Sequence, residues 1–230
     1  MSTTPLKLLS SMAGREILAG LAAEFERTTG QAVRAEAAGG VNVVKRIQAD
    51  EPVDVLVLTH DAIEKLIAEG RLVSGTRVDL TRSGVAVAVR AGAPRPRIDT
   101  PEELKRAVLA ARSVSYSTGP SGVHLERVFE HWGIRSEIKS RLVVAPPGVP
   151  VGSLIAKGDV ELGFQQLSEL MHLPGVDVLG PLPAAVQIIT TFSGAVCKQS
   201  TQPDAARALL RFMAAPAATP IKKSHGMDAA

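Results

Sequence analysis

Short apolar runs alternate along the chain with segments whose apolar residues recur every three or four positions. Leu6 to Leu9 is an apolar run closed by Ser10-Ser11, and Ile17, Leu18, Leu21, Ala22 and Phe25 then mark one helix face that Gly30 stops. Val33 to Glu36 reads as a second strand, Gly39-Gly40-Val41-Asn42 as a turn, and Val43, Val44 and Ile47 as the apolar face of a second helix. The segment from Val53 to Leu58 is almost continuously apolar, the pattern of a strand covered on both faces. Ile63, Leu66 and Ile67 predict a helix closed by Gly70.

The alternation continues. Gly84 to Arg90 reads as a strand, and Thr100-Pro101-Glu102-Glu103 as a capping box with proline at the first helical position. Val114 to Tyr116 predicts a strand, followed by the turn Ser117-Thr118-Gly119-Pro120-Ser121-Gly122 and a helix from Val123 to Trp132. Leu142 to Ala145 is a strand, Pro150 to Lys157 a helix closed by Gly158, and Glu161 to Gln165 a strand. Val176 to Leu179 and Val186 to Thr191 read as extended segments joined by Gly180-Pro181-Leu182-Pro183, and two helices follow Pro203 and Pro216. Repeated strand–turn–helix units predict an α/β fold with a doubly wound parallel sheet, whose ligands bind at the carboxyl ends of the strands.

Composition narrows the partners. A chain of 230 residues forms one large domain or two small ones and buries enough surface to fold without disulfides or metal; its single cysteine, Cys197, has no internal partner and reads as a small core residue. The net charge of +3 is dispersed and only 3% of residues are aromatic, which argues against a nucleic-acid groove or a carbohydrate-stacking cleft. No stretch approaches the ~18 apolar residues of a spanning helix, so no membrane insertion is expected. The N-terminal residues carry no secretory leader, which predicts a cytoplasmic protein, or a periplasmic one if an export signal has been removed.

Three of the turns share a design: a strand ends, small or hydroxyl residues follow, and a helix begins. They are Ser10-Ser11, Gly39-Gly40-Val41-Asn42 and Ser117 to Gly122, and together they point to an anion or carboxylate held by hydroxyls and backbone N–H groups. Ser117, Thr118, Ser121 and Gly122 are the candidates in the third. Each turn alone has a plainer explanation, because Ser and Thr are ordinary helix caps. Phosphate-loop and dinucleotide motifs are absent, and the five histidines have no metal-ligand spacing, so neither a cofactor nor a metal is expected. His124, close to Ser121, is a candidate proton shuttle or a solvent-facing helix residue. Asp54, within an apolar strand, is expected to organise backbone donors around the first turns. Gln165-Gln166 sets a carboxamide on each face of a strand end, one of them towards the ligand, or simply closes the strand. Arg15, Lys45, Arg46 and Lys157 read as solvated helix residues.

The order of these segments resembles a known family. Leu8-Leu9-Ser10-Ser11-Met12, Ala38-Gly39-Gly40, Pro52-Val53-Asp54-Val55, Ser121-Gly122-Val123, Lys157 to Gly163 and Gly180-Pro181-Leu182-Pro183 together resemble the molybdate-binding proteins of ABC transporters, within the type II periplasmic binding protein fold. The resemblance implies two doubly wound α/β lobes, residues 1–82 with 191–230 and residues 83–190, closing on a ligand cleft between them. It implies oxyanion contacts at Ser10 or Ser11, at Gly39-Gly40-Val41, at Ser121, near Gly148-Val149 and at Gln166. The family typically has serines at the positions of Gly40 and Val41 and a tyrosine at that of Gln166, and these departures shift the expected ligand from molybdate towards a carboxylate.

The segment from Gly163 to Glu169 also resembles an aconitate-isomerase-like branch of the same family. The leading expectation is therefore a solute-binding protein for a small carboxylate or oxyanion; the ABC transporter permease that the family implies as a partner is not supported without an export signal. The alternative is a cofactor-independent isomerase of a di- or tricarboxylate such as aconitate, acting by proton transfer next to a carboxylate. A third reading is the ligand-sensing domain of a regulator, for which no helix-turn-helix segment is present.

Overall fold

The computed structural model describes residues 4–146 and 149–230. Gly148, and the leader reading at Met1 to Thr3, fall outside the described residues. The chain divides into two units, Met1–Ser83 with Thr190–Ala230 and Gly84–Ile189.

The elements follow one another as β1 (Leu6–Ser11), α1 (Arg15–Thr29), β2 (Val33–Ala38), α2 (Gly40–Gln48), β3 (Val55–Thr59), α3 (His60–Ala68) and β4 (Val78–Arg90). Next come α4 (Pro101–Ala110), β5 (Val114–Tyr116), α5 (Pro120–His131), α6 (Arg135–Ile138), β6 (Leu142–Val144), α7 (Val151–Lys157), β7 (Leu162–Gln166), α8 (Leu167–Leu170) and β8 (Val176–Pro181). The chain closes with β9 (Ile189–Val196), α9 (Pro203–Ala214), α10 (Thr219–Ser224) and β10 (Asp228–Ala229).

In the first unit the strands lie in the order β2-β1-β3-β9, with β1 parallel to both neighbours and β9 antiparallel to β3. The alternation of side chains sorts the core. Leu6, Leu8, Val55 and Val57 pack with Ile17, Leu21, Leu209 and Leu210 from α1 and α9, while Leu9, Leu56 and Leu58 pack with Val43, Ile47, Ile63 and Leu66 from α2 and α3. Burial on both faces is why β1 and β3 read as continuous apolar runs, each fully buried side chain contributing about 1.5–3 kcal/mol. The initial part of β4 pairs with β10, and the buried Lys222 Nζ donates to the Leu80 carbonyl at 2.7 Å.

In the second unit β5 lies between β6 and β7, parallel to both, and β4 runs antiparallel to β7 and β8. Val85, Val87 and Phe164 face Leu125 and Phe129 of α5, and Ala86 and Ala88 face Val151 and Ile155 of α7. Helix α4 starts on the expected capping box: Thr100 Oγ1 accepts from the Glu103 N–H and Glu103 returns a bond to the Thr100 N–H.

Several boundaries differ from the sequence reading. The sheets are mixed rather than parallel, because β4 and β9 each run antiparallel to a neighbour. β4 begins at Val78, not Gly84; Val186 closes a 3₁₀ turn, and the strand expected there starts at Ile189 and continues to Val196. Helix α5 starts at Pro120, whose fixed φ suits a first helical position, so Ser121 and Gly122 belong to the helix and His124 sits beyond its first turn. Likewise α2 begins at Gly40, which leaves Gly39 as its N-cap. Asp54 precedes β3 and takes the Lys7 N–H and the Ser200 hydroxyl at 2.9 and 2.7 Å. It organises the beginning of β1, the end opposite to the turns it was expected to serve.

Candidate functional site

In the first unit the register sets Ser11 beside Ala38, so Gly39 and the start of α2 follow directly next to the end of β1. Ser10 and Ser11 differ in what their hydroxyls do. Ser10 is fully buried and donates its hydrogen to the Ser11 carbonyl at 3.1 Å. Among the described residues, the buried Ser11 Oγ has no hydrogen-bond partner. A buried hydroxyl without a partner is destabilising by about 1–3 kcal/mol; Ser115 Oγ, in the middle of β5, shares the condition, and what distinguishes Ser11 is its place at a strand end. At Gly40 an added side chain would meet nothing within 4 Å, so the missing hydroxyl of this position leaves open space beside Ser11's neighbour strand. Val41, the next residue, is 64% exposed.

In the second unit the end of β5 carries the corresponding group. Tyr116 pairs with Phe164 on one side and Val144 on the other, so Ser117, Ala145 and Gln165 each lie one residue past the paired positions at the same end of the sheet. The Ser117 and Ser121 hydroxyls are 3.1 Å apart. Whichever of them donates, the other's hydrogen remains available to an acceptor. A Cβ at Gly122 would overlap the Ser117 carbonyl oxygen, so only glycine lets the start of α5 approach this close to the turn. Thr118 is exposed beside them, and Val123 and Val149 expose 48% and 37% of their surface.

Helix starts in this protein fall into two groups. Among the described residues, six helices have eight residues or more; α1, α3, α4 and α9 each carry an acidic residue in the first turn, and α4 has its capping box as well. Helices α2 and α5 have neither a side-chain cap nor an acid. Both start at predicted donor turns, Gly39-Gly40 and Ser117 to Gly122, whereas Ser10-Ser11 runs through a 3₁₀ turn, Met12–Gly14, into α1, which carries Glu16. The positive dipole ends of α2 and α5 are left uncompensated by the chain, which is the electrostatic condition for holding an anion.

The remaining candidates divide. Gln165 is buried and engaged: its Oε1 accepts from the Gly152 N–H at 3.1 Å and its Nε2 donates to Glu169 Oε2 at 2.6 Å. Gln166 is buried on the opposite face and pairs with Val85. His124 Nε2 lies 2.9 Å from the Val186 carbonyl and must donate to it, which leaves only Nδ1 for proton transfer. Cys197 is buried and its thiol is pushed up to about 12 by burial and by Asp54, in keeping with a core role. Arg46 is taken up by Glu36 and Glu51. Glu169 was not singled out by sequence. Burial of its carboxyl pushes it up to about 7 against the opposing bond from Gln165; the one signal available was an acid four residues after a glutamine at a strand end. Among the described residues no cluster of His, Cys, Asp and Glu could hold a metal ion, and no helix is long and apolar enough to cross a membrane.

Residues 6–228 match the family model described as bacterial extracellular solute-binding protein. An aconitate isomerase from a Pseudomonas species is 37% identical over 232 aligned positions, which cover 97% of this chain and 87% of the relative. The molybdate-binding protein ModA of Azotobacter vinelandii is 27% identical over 219 positions, 90% of this chain and 82% of that protein. Among solved structures, the A. vinelandii periplasmic molybdate-binding protein superposes with a TM-score of 0.81 at 23% identity, covering 96% of this chain and 98% of that one. The sulfate-binding protein SubI from Mycobacterium tuberculosis H37Rv gives 0.79 at 14% identity, covering 97% and 86%.

Proposed function

The chain belongs to the bacterial extracellular solute-binding protein family, and from that premise we propose that it captures a small organic anion, a carboxylate in preference to molybdate. The candidate donors are Ser11 and the start of α2 in the first unit and, in the second unit taken by itself, Ser117, Ser121 and the start of α5. The observation that carries this reading is the selective absence of caps and acids at α2 and α5, with the Ser11 hydroxyl buried and unpartnered beside one of them. Preference for a carboxylate rests on the open space at Gly40 and on the exposed Val41, Val123 and Val149, which offer contact to a hydrocarbon skeleton that a bare metal oxyanion lacks.

Thermal unfolding with molybdate, sulfate, citrate, cis-aconitate and trans-aconitate tests it. A ligand at about 100 times its Kd adds about 2.7 kcal/mol to stability. The carboxylates should raise the Tm; a rise with molybdate alone would restore a plain oxyanion site, and no rise with any of them removes the proposal.

A second reading takes its motive from the 37% identity to an aconitate isomerase: the same donors hold a tricarboxylate while a proton is moved along its allylic system, the developing charge being stabilised by the helix starts. Incubation with cis- or trans-aconitate and proton NMR distinguishes turnover from binding.

A further inference from the structure

Glu169 is the acid of the second unit that the donor set leaves unexplained. It stands on α8, immediately after β7, and its carboxyl is buried although the residue as a whole is partly exposed. Among the described residues its one hydrogen-bond donor is the Gln165 amide, and no ion pair reaches it. Gln165 in turn is fixed by the Gly152 N–H at the start of α7 and lies one position past the Phe164–Tyr116 pair, at the strand end where Ser117 also lies. The Gln165 carboxamide therefore ties the Glu169 carboxyl to the start of α7, at the end of β7.

Among the described residues, no ion pair between Glu169 and a cation of the elements packed against α8 is formed. β7 has no charged residue; on β8, Asp177 is occupied by Arg95 and the Gly92 N–H; on α7, Lys157 is the last residue, five positions beyond Gly152; His172 follows α8 in the next turn. An ionised Glu169 would repel an anion held at this end of the sheet, whereas a protonated one is neutral and has a hydrogen to donate.

We infer that Glu169 is a specificity-determining residue: a carboxylate ligand is captured together with one proton, which passes from solvent to the Glu169 carboxyl. No other bond forms or breaks. This rests on the carboxylate reading above and adds to it a selection by charge. Burial already pushes the group up to about 7, and a bound anion nearby raises it further.

The test is calorimetric titration with trans-aconitate in buffers of different ionisation enthalpy, between about pH 6 and pH 8.5, for the wild type, Glu169→Gln and Glu169→Asp. The wild type should take up close to one proton per ligand near the upper end and bind there roughly 30-fold more weakly than near pH 6. Glu169→Gln, a neutral mimic of the protonated acid, should take up none and keep the tight affinity throughout, while Glu169→Asp retains uptake. Uptake that persists in Glu169→Gln assigns the proton to another group and overturns the inference, as does a wild type that takes up none. Absence of trans-aconitate binding to all three proteins removes the carboxylate reading itself, and this inference with it.

Discussion

Replacing Ser11 by alanine should stabilise the empty protein and weaken ligand binding at once. The Ser11 Oγ is buried without a partner, and an unsatisfied hydroxyl is destabilising by about 1–3 kcal/mol. Alanine removes that penalty and loses a few van der Waals contacts, so a net gain of about 1 kcal/mol is expected, or about 2–4 °C in Tm for a chain of this size. The same change deletes a hydrogen bond to a charged ligand, about 1.5–3 kcal/mol, which weakens binding roughly 10- to 100-fold. The assays are thermal unfolding without ligand and calorimetric titration with trans-aconitate. Thr100→Ala is the opposite control: it breaks the capping box of α4, should lower stability by about 1 kcal/mol, and should leave binding untouched. A Ser11→Ala protein that is less stable than wild type, or that binds the probe as wild type does, would refute the assignment of this hydroxyl to the ligand.

Other substitutions probe other parts of the argument. Because Glu169 has a folded-state value of about 7 against an ordinary 4.5, the folded protein binds its proton more tightly than the unfolded chain. Stability from this group is present below about pH 4.5 and is lost as pH rises through about 7. Glu169→Gln should therefore match the wild type in urea unfolding near pH 4.5 and exceed it by up to about 3 kcal/mol at about pH 8. Gly122→Ala, whose Cβ would overlap the Ser117 carbonyl, should separate α5 from its turn, lowering stability by about 1–3 kcal/mol and abolishing the titration signal. Burial lowers the Lys222 amine, so the wild type should gain stability as pH rises through the amine's depressed range; Lys222→Met should flatten that limb in unfolding measured at increasing pH.

The fold was legible wherever local chemistry and burial agree. Leu6 to Leu9 and Val53 to Leu58 announce two-faced strands because helices cover both sides of them, and the capping box at Thr100 announces its helix because its geometry is local. The antiparallel β4 and β9 were not distinguished from parallel neighbours, since strand direction depends on where the chain returns rather than on the residues of the strand. The early start of α5 was missed for a related reason: Ser117 to Gly122 has the composition of a turn, and only the close approach that Gly122 permits shows that half of it is helix.

Candidate chemistry is legible in sequence only as residue types, and partners decide which of those types has anything left to offer. Ser10 and Ser11 are equivalent as letters, yet one hydroxyl is spent on a carbonyl and the other is spent on nothing. Gln165 looks like a ligand contact and is an internal strut between Gly152 and Glu169, while Glu169 looks like a surface acid and is the buried carboxyl that strut holds. Helix starts follow the same rule. α4 spends its own acids and threonine on its first turn; among the described residues α2 and α5 spend neither, which leaves their starts open to water or to an anion. An unpartnered hydroxyl is therefore informative only through its place: Ser115 Oγ lies unpaired in the middle of β5, whereas Ser11 Oγ lies at the end of β1, next to the start of α2.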